Sequence, residues 1–255
     1  MDRLGDRVAS ARSAATRLVG LVALVVIWQV AAVVADTPWF PPFTTVLTRI
    51  AELFSSGRIQ PALVVSLGNL VVGYVVAVIV GVTMGTAMAL SERVEWALRS
   101  YIDALLFVPP VVFAPIFFAF FGLSSLTLVL VVFVFSVFVI TVNTQTAVAA
   151  TDPALVDVAA SFGATRTRVL REVTFPAALP VIFSGLQLGM GRAVKGMIVG
   201  ELFITIVGLG GLERRFSSSF DAPGIWAIAV VVIAIALLLT ALIQLLDRRI
   251  NSWAR

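Results

Sequence analysis

The sequence predicts an all-α, polytopic membrane protein with six transmembrane helices and one polar loop between the fourth and the fifth. Of its 255 residues, 60% are hydrophobic and only 13% are charged, whereas soluble domains carry about 25% charged residues. Long uncharged runs also separate short polar segments along the chain. A soluble core of this size cannot bury so much apolar surface, so the bilayer is the expected solvent for most of the chain. We expect one transmembrane domain, 1–255.

The first predicted span is the uncharged run over residues 18–35, which Arg17 and Asp36 bracket. As a helix, this run is just long enough to cross the hydrocarbon core. The alternative interpretation is a cleaved signal peptide, with Val33-Val34-Ala35 as the cleavage site. The run is longer than the apolar region of about 7–15 residues that signal peptides carry, which favours a span.

The remaining spans follow from the other uncharged runs, at residues 62–90, twice within 104–151, at 181–207 and at 225–246. A turn at 122–125 separates the third span from the fourth. The third span is interrupted by Pro109, Pro110 and Pro115. Such prolines favour a helix that is shaped against neighbouring protein or lines a cavity. In the second span, the small residues Gly81 and Gly85 predict close helix packing.

Two further helices are predicted outside the hydrocarbon. Residues 48–54 form a short surface helix within the segment 37–61. Residues 91–103 form an interfacial helix on the opposite side of the membrane, with Trp96 and Tyr101 as interface anchors.

The positions of arginine near the span ends predict that both termini are cytoplasmic. With the N-terminus inside, the cytoplasmic side holds Arg3, Arg7, Arg12, Arg17, Arg93, Arg99, Arg166, Arg168, Arg171, Arg248, Arg249 and Arg255. The outer side holds only Arg49, Arg58, Arg214 and Arg215. The basic residues behind the formal net charge of +4 therefore lie beside the membrane spans, so nucleic acid is not an expected partner.

The most informative segment is residues 151–180, a polar stretch between two hydrophobic blocks. Its charged residues are Asp152, Asp157, Arg166, Arg168, Arg171 and Glu172. Asp152-Pro153 predicts a helix start, with Asp as N-cap and Pro at the first helical position. Gly163 predicts the end of this helix, Thr165 caps a second helix, and Phe175-Pro176 is expected to end that one. The segment is predicted to form a helix, a glycine turn and a second helix outside the hydrocarbon.

The same segment contains a spaced motif: Asp157-Val158-Ala159, three residues, Gly163, nine residues, and Val173-Thr174-Phe175-Pro176. The motif resembles the loop of bacterial ABC importer permeases, Glu-Ala-Ala, three residues, Gly, nine residues, Ile-x-Leu-Pro. The departures are Asp for Glu, Val for Ala, Val for Ile and Phe for Leu. In that family the loop is a coupling helix that docks into a groove of a separate ATPase subunit. The resemblance implies that the ATPase-coupling residues are Asp157, Val158, Ala159, Gly163, Ala164, Arg166 and Pro176.

Other segments resemble the importers of aliphatic sulfonates, taurine and nitrate, namely 66–85, 108–123, 152–165, 175–180 and 189–202. The resemblance implies a permease subunit of the bacterial inner membrane that forms half of a pathway for a small, anionic solute. The implied partners are an ABC ATPase subunit dimer, a second permease copy or close paralogue, and an extracytoplasmic solute-binding protein. No G-x-x-x-x-G-K-[ST] phosphate loop occurs in the sequence. The partner is therefore expected to hydrolyse ATP, and this chain is expected to bind no cofactor.

The candidates for the substrate pathway are Asn143, Arg192, Lys195 and Glu201. Arg192 and Lys195 lie near the middle of the fifth span on one helical face, where charges face a cavity or a partner. The alternative is a tilted helix, or pairing with backbone carbonyls or acids. Asn143 can equally join two helices by a hydrogen bond. For Glu201, a structural hydrogen bond or ion pair is favoured over contact with the solute.

Two other classes of function are alternatives. A secondary transporter or channel needs a buried route for ions or protons, typically a series of acids, but only Glu201 lies deep in a span. A membrane enzyme needs catalytic groups, and the chain has no cysteine and no histidine. The same absence excludes disulfides and thiolate metal sites, so neither a catalytic residue nor a metal site is expected. Co-purification with an ATPase subunit separates the importer from both alternatives.

Overall fold

The computed structural model describes residues 2–204 and 208–251. Every element in these residues is helical, which confirms the predicted all-α class. The elements in chain order are α1 (Asp2–Ala35), α2 (Phe43–Ser55), α3 (Ile59–Leu90), α4 (Glu92–Phe107), a 3-10 turn (Pro110–Val112), α5 (Phe113–Phe121), α6 (Ser125–Ala149), α7 (Pro153–Ser161), α8 (Arg166–Val169), a π-helical turn (Leu170–Thr174), α9 (Phe175–Ile204), α10 (Gly208–Ser218) and α11 (Ala222–Ile250).

Six hydrophobic regions of the described chain correspond to the six predicted spans. The helices that are long and apolar enough to cross a membrane alone are Ile59–Leu90, Ser125–Ala149, Arg166–Phe203 and Ala222–Ile250. A bent pair, Glu92–Phe107 with Pro110–Phe121, provides a fifth apolar region, and the apolar part of α1, Val19–Ala35, provides the sixth.

The third span differs from a straight transmembrane helix. α4 continues to Phe107, beyond the predicted end of the interfacial helix, and the chain bends by 91° before α5. Val108 is extended at φ −69° and ψ 126°, the conformation that a following proline favours. Pro109 and Pro110 then remove two backbone donors from the helix. The predicted turn at 122–125 is confirmed, because Gly122 has φ +66°.

Pro176 does not end the second helix of the polar segment, so this prediction is wrong. α8, the π-helical turn and α9 join into one helical path over Arg166–Phe203. A proline in a helix lacks an N–H donor, and its ring clashes with the carbonyl four residues earlier. The wider turn at Leu170–Thr174 directly precedes Phe175-Pro176 and accommodates the ring. The part of the polar segment from Arg166 onward is therefore one continuous helix with the fifth span.

The chain divides into two compact units, Met1–Ile59 with Glu213–Val231 and Gln60–Leu212 with Val232–Arg255. In the first unit, the Trp28 indole contacts the rings of Phe40, Phe43 and Trp226. Arg49 of α2 is paired with Asp221, and the other oxygen of Asp221 accepts the Gly224 N–H in the first turn of α11. α2 contains the predicted surface helix 48–54 and extends it at both ends. Trp28 thus packs α1 against α2 and α11.

In the second unit, α6 is the helix against which α3 and α9 pack. A Cβ added at Gly81 would lie 2.8 Å from Ile140 Cγ2, and one added at Gly85 would overlap the carbonyl oxygen of Thr141. Glycines of α9 approach α6 equally closely. Helices come this close only where a side chain is absent, so the packing role predicted for Gly81 and Gly85 is confirmed.

Candidate coupling loop and cationic helix face

The polar segment begins with a capped helix, as the sequence predicts. The Asp152 carboxylate accepts the Ala154 N–H at 2.9 Å, and Pro153 occupies the first position of α7. An aspartate N-cap satisfies a free helix donor and offsets the positive end of the helix dipole. The start of α7 is thus fixed by a contact within its own first turn.

Gly163 ends α7 in the left-handed conformation, at φ +77°. The Gly163 N–H donates to the Ala160 carbonyl at 2.9 Å, and the Ala164 N–H donates to the Ala159 carbonyl at 3.1 Å. These paired bonds define a Schellman motif. Among the described atoms, none lies within 4 Å of a Cβ added at Gly163, so glycine is required for conformation and not for space. The predicted glycine turn is confirmed.

α7 exposes an apolar surface although it lies between charged residues. Leu155, Val158 and Phe162 follow one another at helical spacing and are 50%, 57% and 89% exposed. Asp157 is exposed on the same helix and Ala159 is half-buried. An exposed apolar patch with charged neighbours is typical of a protein interaction site. Phe162 belongs to this patch, although the coupling residues predicted from the sequence do not include it.

The second part of the polar segment carries three arginines that differ in whether they form an ion pair. Arg168 Nε lies 2.9 Å from Glu172 Oε2. Arg166 and Arg171 are exposed, and neither has an ion-pair partner among the described residues. Pro176 lies in α9, beyond the π-helical turn, and not on the coupling helix itself. The other predicted coupling residues all lie in α7, in the glycine turn or in α8.

α9 leaves one helical face uncovered, which we call the cationic face. Its exposed residues, at intervals of three or four, are Val181, Ser184, Leu188, Arg192 and Lys195. The α9 residues between them are buried or half-buried, and Gly185 and Gly189 among them pack against α6. Neither Arg192 nor Lys195 has an ion-pair partner in the part of the chain that the structure describes. The two cations thus share a face, as predicted, and that face points away from the packed side of the helix.

Asn143 and Glu201 lie on packed surfaces instead. The Asn143 side chain donates to the Val139 carbonyl at 2.7 Å, and Gly185 of α9 packs against its Cβ. Glu201 is 0% exposed, and its Oε2 accepts the Gly210 N–H at 2.8 Å. This carboxylate lies at the N-terminus of α10, where a negative charge is stabilised. The contact of Glu201 supports its structural interpretation, whereas the hydrogen bond of Asn143 stays within α6 and does not join two helices.

The glycines that pack on Glu201 carry a sequence signal that spacing alone does not reveal. Gly208 has φ +77°, and a Cβ added there would overlap the Glu201 carboxyl group. A cluster of glycines shortly after a deep acid indicates a backbone that wraps closely over the carboxylate. Gly208-Leu209-Gly210-Gly211 is such a cluster.

The fold is similar to that of solved ABC transporters. The methionine ABC transporter MetNI in an inward-facing conformation aligns with a TM-score of 0.65 and 15% sequence identity. The alignment covers 73% of this chain and 93% of that chain. At this identity, the likeness shows the fold alone.

Similarity in sequence extends over most of the chain. The riboflavin transport system permease protein RibX of Chloroflexus aurantiacus is 32% identical, over 92% of this chain and 88% of its own length. The taurine transport system permease protein TauC of Escherichia coli is 28% identical, over 91% of this chain and 86% of its own length. The sequence model of the family described as "Binding-protein-dependent transport system inner membrane component" matches residues 77–252. The chain therefore belongs to this family of ABC importer permeases.

Proposed function

We propose that this ABC importer permease forms half of the pathway for a small organic anion. A second copy, or a close paralogue, completes the pathway, and an extracytoplasmic binding protein delivers the solute. A separate ATPase dimer hydrolyses the ATP, because this chain has no phosphate loop. The whole chain acts as one permease domain in the bacterial inner membrane.

The proposal that the solute is an anion rests on the cationic face of α9. A charge in the middle of a membrane helix is costly unless it faces water, a cavity or an opposite charge. Arg192 and Lys195 are exposed at that depth and lack a described counter-ion. A second permease copy that packs opposite α9 encloses these cations, and a passing anion offsets them. The similarity to TauC supports an anion such as a sulfonate, while the similarity to RibX supports a wider range of solutes.

The exposed surface of the polar segment supports its role in coupling. We assign ATPase contact to Asp157, Val158, Ala159, Gly163, Ala164 and Arg166, and a supporting role to Pro176. The helical path over Arg166–Phe203 leads directly from this surface to the cationic face. When the two ATPase subunits close, the permease halves therefore move as rigid bodies. In each half, α9 moves together with the coupling loop.

Replacement of Lys195 by Met is expected to lower uptake of the anion about tenfold, the equivalent of one charged hydrogen bond. Lys195→Arg keeps the charge and is expected to retain part of the uptake. Leu188→Met is the matched control, since it lies on the same face and changes no charge. The measurement is initial uptake of radiolabelled solute into proteoliposomes that contain the complex. Unchanged uptake with Lys195→Met, or identification of a cationic solute, would contradict the anion assignment.

Single cysteines test the orientation that the arginine distribution predicts. Cysteines at the exposed positions Ser125 and Ser218 are expected to react with an impermeant maleimide from outside sealed cells. A cysteine at Thr167 is expected to react only after the membrane is permeabilised. Thr167 is preferred to Thr165, because the Thr165 hydroxyl accepts the Arg168 N–H. The chain has no native cysteine, so the background is clean. Labelling at Thr167 in sealed cells would overturn both the orientation and the coupling role.

A further inference from the structure

Two cavities beside the polar segment adjoin each other. The first, which we call the loop cavity, has a volume of about 680 Å³ and lies between α7, α8 and the ends of α3 and α6. The second, which we call the α3 groove, has a volume of about 600 Å³ and lies between α3 and the beginning of α9. Leu90 and Leu170 line both cavities. Each volume is within the usual range for a small-molecule site.

The α3 groove is apolar and extends along a membrane span. α3 contributes Val82, Thr83, Thr86, Ala87 and Leu90, which lie on one helical face. Val82 and Phe175 also pack against the buried cluster of α6 and α9 that supports the groove. Val82 is about 12 Å from Leu90 along the helix axis. The groove therefore runs from the polar end of α3 well into the hydrocarbon.

Two unpaired arginines lie where the groove meets the polar segment. Arg171 lines the α3 groove and Arg166 lines the loop cavity. Neither has an ion-pair partner among the described residues, whereas Arg168 is paired with Glu172 and lines neither cavity. The buried Thr151 hydroxyl, which also lines the loop cavity, has no hydrogen-bond partner among the described atoms. The polar end thus offers two positive charges and a free hydroxyl.

We propose that an anionic phospholipid of the bilayer occupies the α3 groove, with an acyl chain along α3 and its phosphate at Arg171, at the end of the groove that adjoins the loop cavity. Guanidinium groups bind phosphate oxygens in a bidentate manner, and basic pockets between membrane helices bind anionic headgroups. A soluble partner does not enter the hydrocarbon at the depth of Val82. The lipid contacts the π-helical turn through Leu170, and so it contacts the helical path that leads from the coupling loop into α9.

The test uses the purified full-length protein in phosphatidylcholine nanodiscs. Phosphatidylglycerol that carries a diazirine on its acyl chain is added, and crosslinked peptides are identified by mass spectrometry after photolysis. We expect labelling over residues 82–90 and 170–175. A phosphatidylcholine analogue with the same chain is expected to label these residues several-fold less.

Two arginine variants on the same helical stretch distinguish a specific lipid site from general electrostatic attraction of anionic lipid to a basic surface. Arg171→Gln is expected to lower phosphatidylglycerol labelling about fivefold. Arg168→Gln removes the same charge outside both cavities and is expected to leave labelling unchanged. Ala87→Phe fills the groove and is expected to abolish labelling by both lipids. Matched gel-filtration profiles and unfolding temperatures control for the fold of each variant.

Other occupants give different results. Equal labelling by both lipids, or equal loss in both arginine variants, would show only annular lipid and overturn the proposal. Displacement by millimolar inorganic phosphate would assign the arginines to a soluble anion and overturn it as well. Loss of labelling when the ATPase subunit binds would assign the surface to that subunit and have the same consequence.

Discussion

A Gly163→Val variant is expected to insert into the membrane but to lose most of its solute-stimulated ATP hydrolysis. Gly163 has φ +77°, a conformation that costs a residue with a side chain roughly 1–2 kcal/mol, and a β-branched residue more. The native turn would then be populated roughly fivefold to thirtyfold less. Leu155 and Val158 would face the ATPase at a changed angle, because this turn sets the direction of α7 relative to α8. Hydrolysis is measured in proteoliposomes that contain the complete complex.

Two further variants isolate the conformational cause. Gly163→Asn is expected to retain more activity than Gly163→Val, since asparagine tolerates the left-handed region better than other residues. Gly20→Val lies in α1, in open surroundings and without a positive φ, and is expected to leave hydrolysis unchanged. Normal stimulation in Gly163→Val would contradict the proposed role of the turn.

A Gly85→Leu variant is expected to lower the unfolding temperature by several degrees, up to about 12 °C. A Cβ at Gly85 would overlap the Thr141 carbonyl oxygen and lie 2.8 Å from Thr144 Cβ, so a backbone group and a fixed side chain must move. Overpacking of this kind costs roughly 1–3 kcal/mol, and each kcal/mol lowers the unfolding temperature of a chain of this size by about 2–4 °C. Intrinsic tryptophan fluorescence measures the transition, since the chain has no cysteine for thiol-reactive dyes.

Gly68→Leu is the matched control in the same helix. Among the described atoms, none lies within 4 Å of a Cβ at Gly68, so the unfolding temperature is expected to change by no more than about 2 °C. If both variants unfold at the same lowered temperature, the cause is a general property of leucine in α3, and the close contact with α6 is not responsible.

Features that depend on a few neighbouring residues were predictable from the sequence. Asp152-Pro153, Gly163 and Thr165 act on backbone groups within one helical turn, so their residue types alone indicate caps and a turn. The packing of Gly81 and Gly85 was predictable for a similar reason, because only a missing side chain allows such an approach.

Features decided by competition between neighbours were not predictable in the same way. The rule that proline ends a helix applies at Pro109, but at Pro176 the preceding π-helical turn accommodates the ring. Glu201 accepts the N–H of Gly210, nine residues further along the chain, and no local spacing rule predicts that contact. Helical spacing placed Arg192 and Lys195 on one face. Only the packing of α9 on α6 shows that this face is the exposed one.

The uninterrupted helical path over Arg166–Phe203 also fixes the angle, about the helix axis, between side chains near its two ends. Each residue of an α-helix advances its side chain by about 100° around the axis. The number of residues between Arg166 and Lys195 therefore sets the direction in which the loop arginines point relative to the cationic face. One residue added or removed within α9 before Lys195 would turn one surface by about 100° against the other, although every local sequence motif stayed intact. The π-helical turn is the segment that can absorb such a change, since its hydrogen bonds already span one residue more than those of the α-helix on either side.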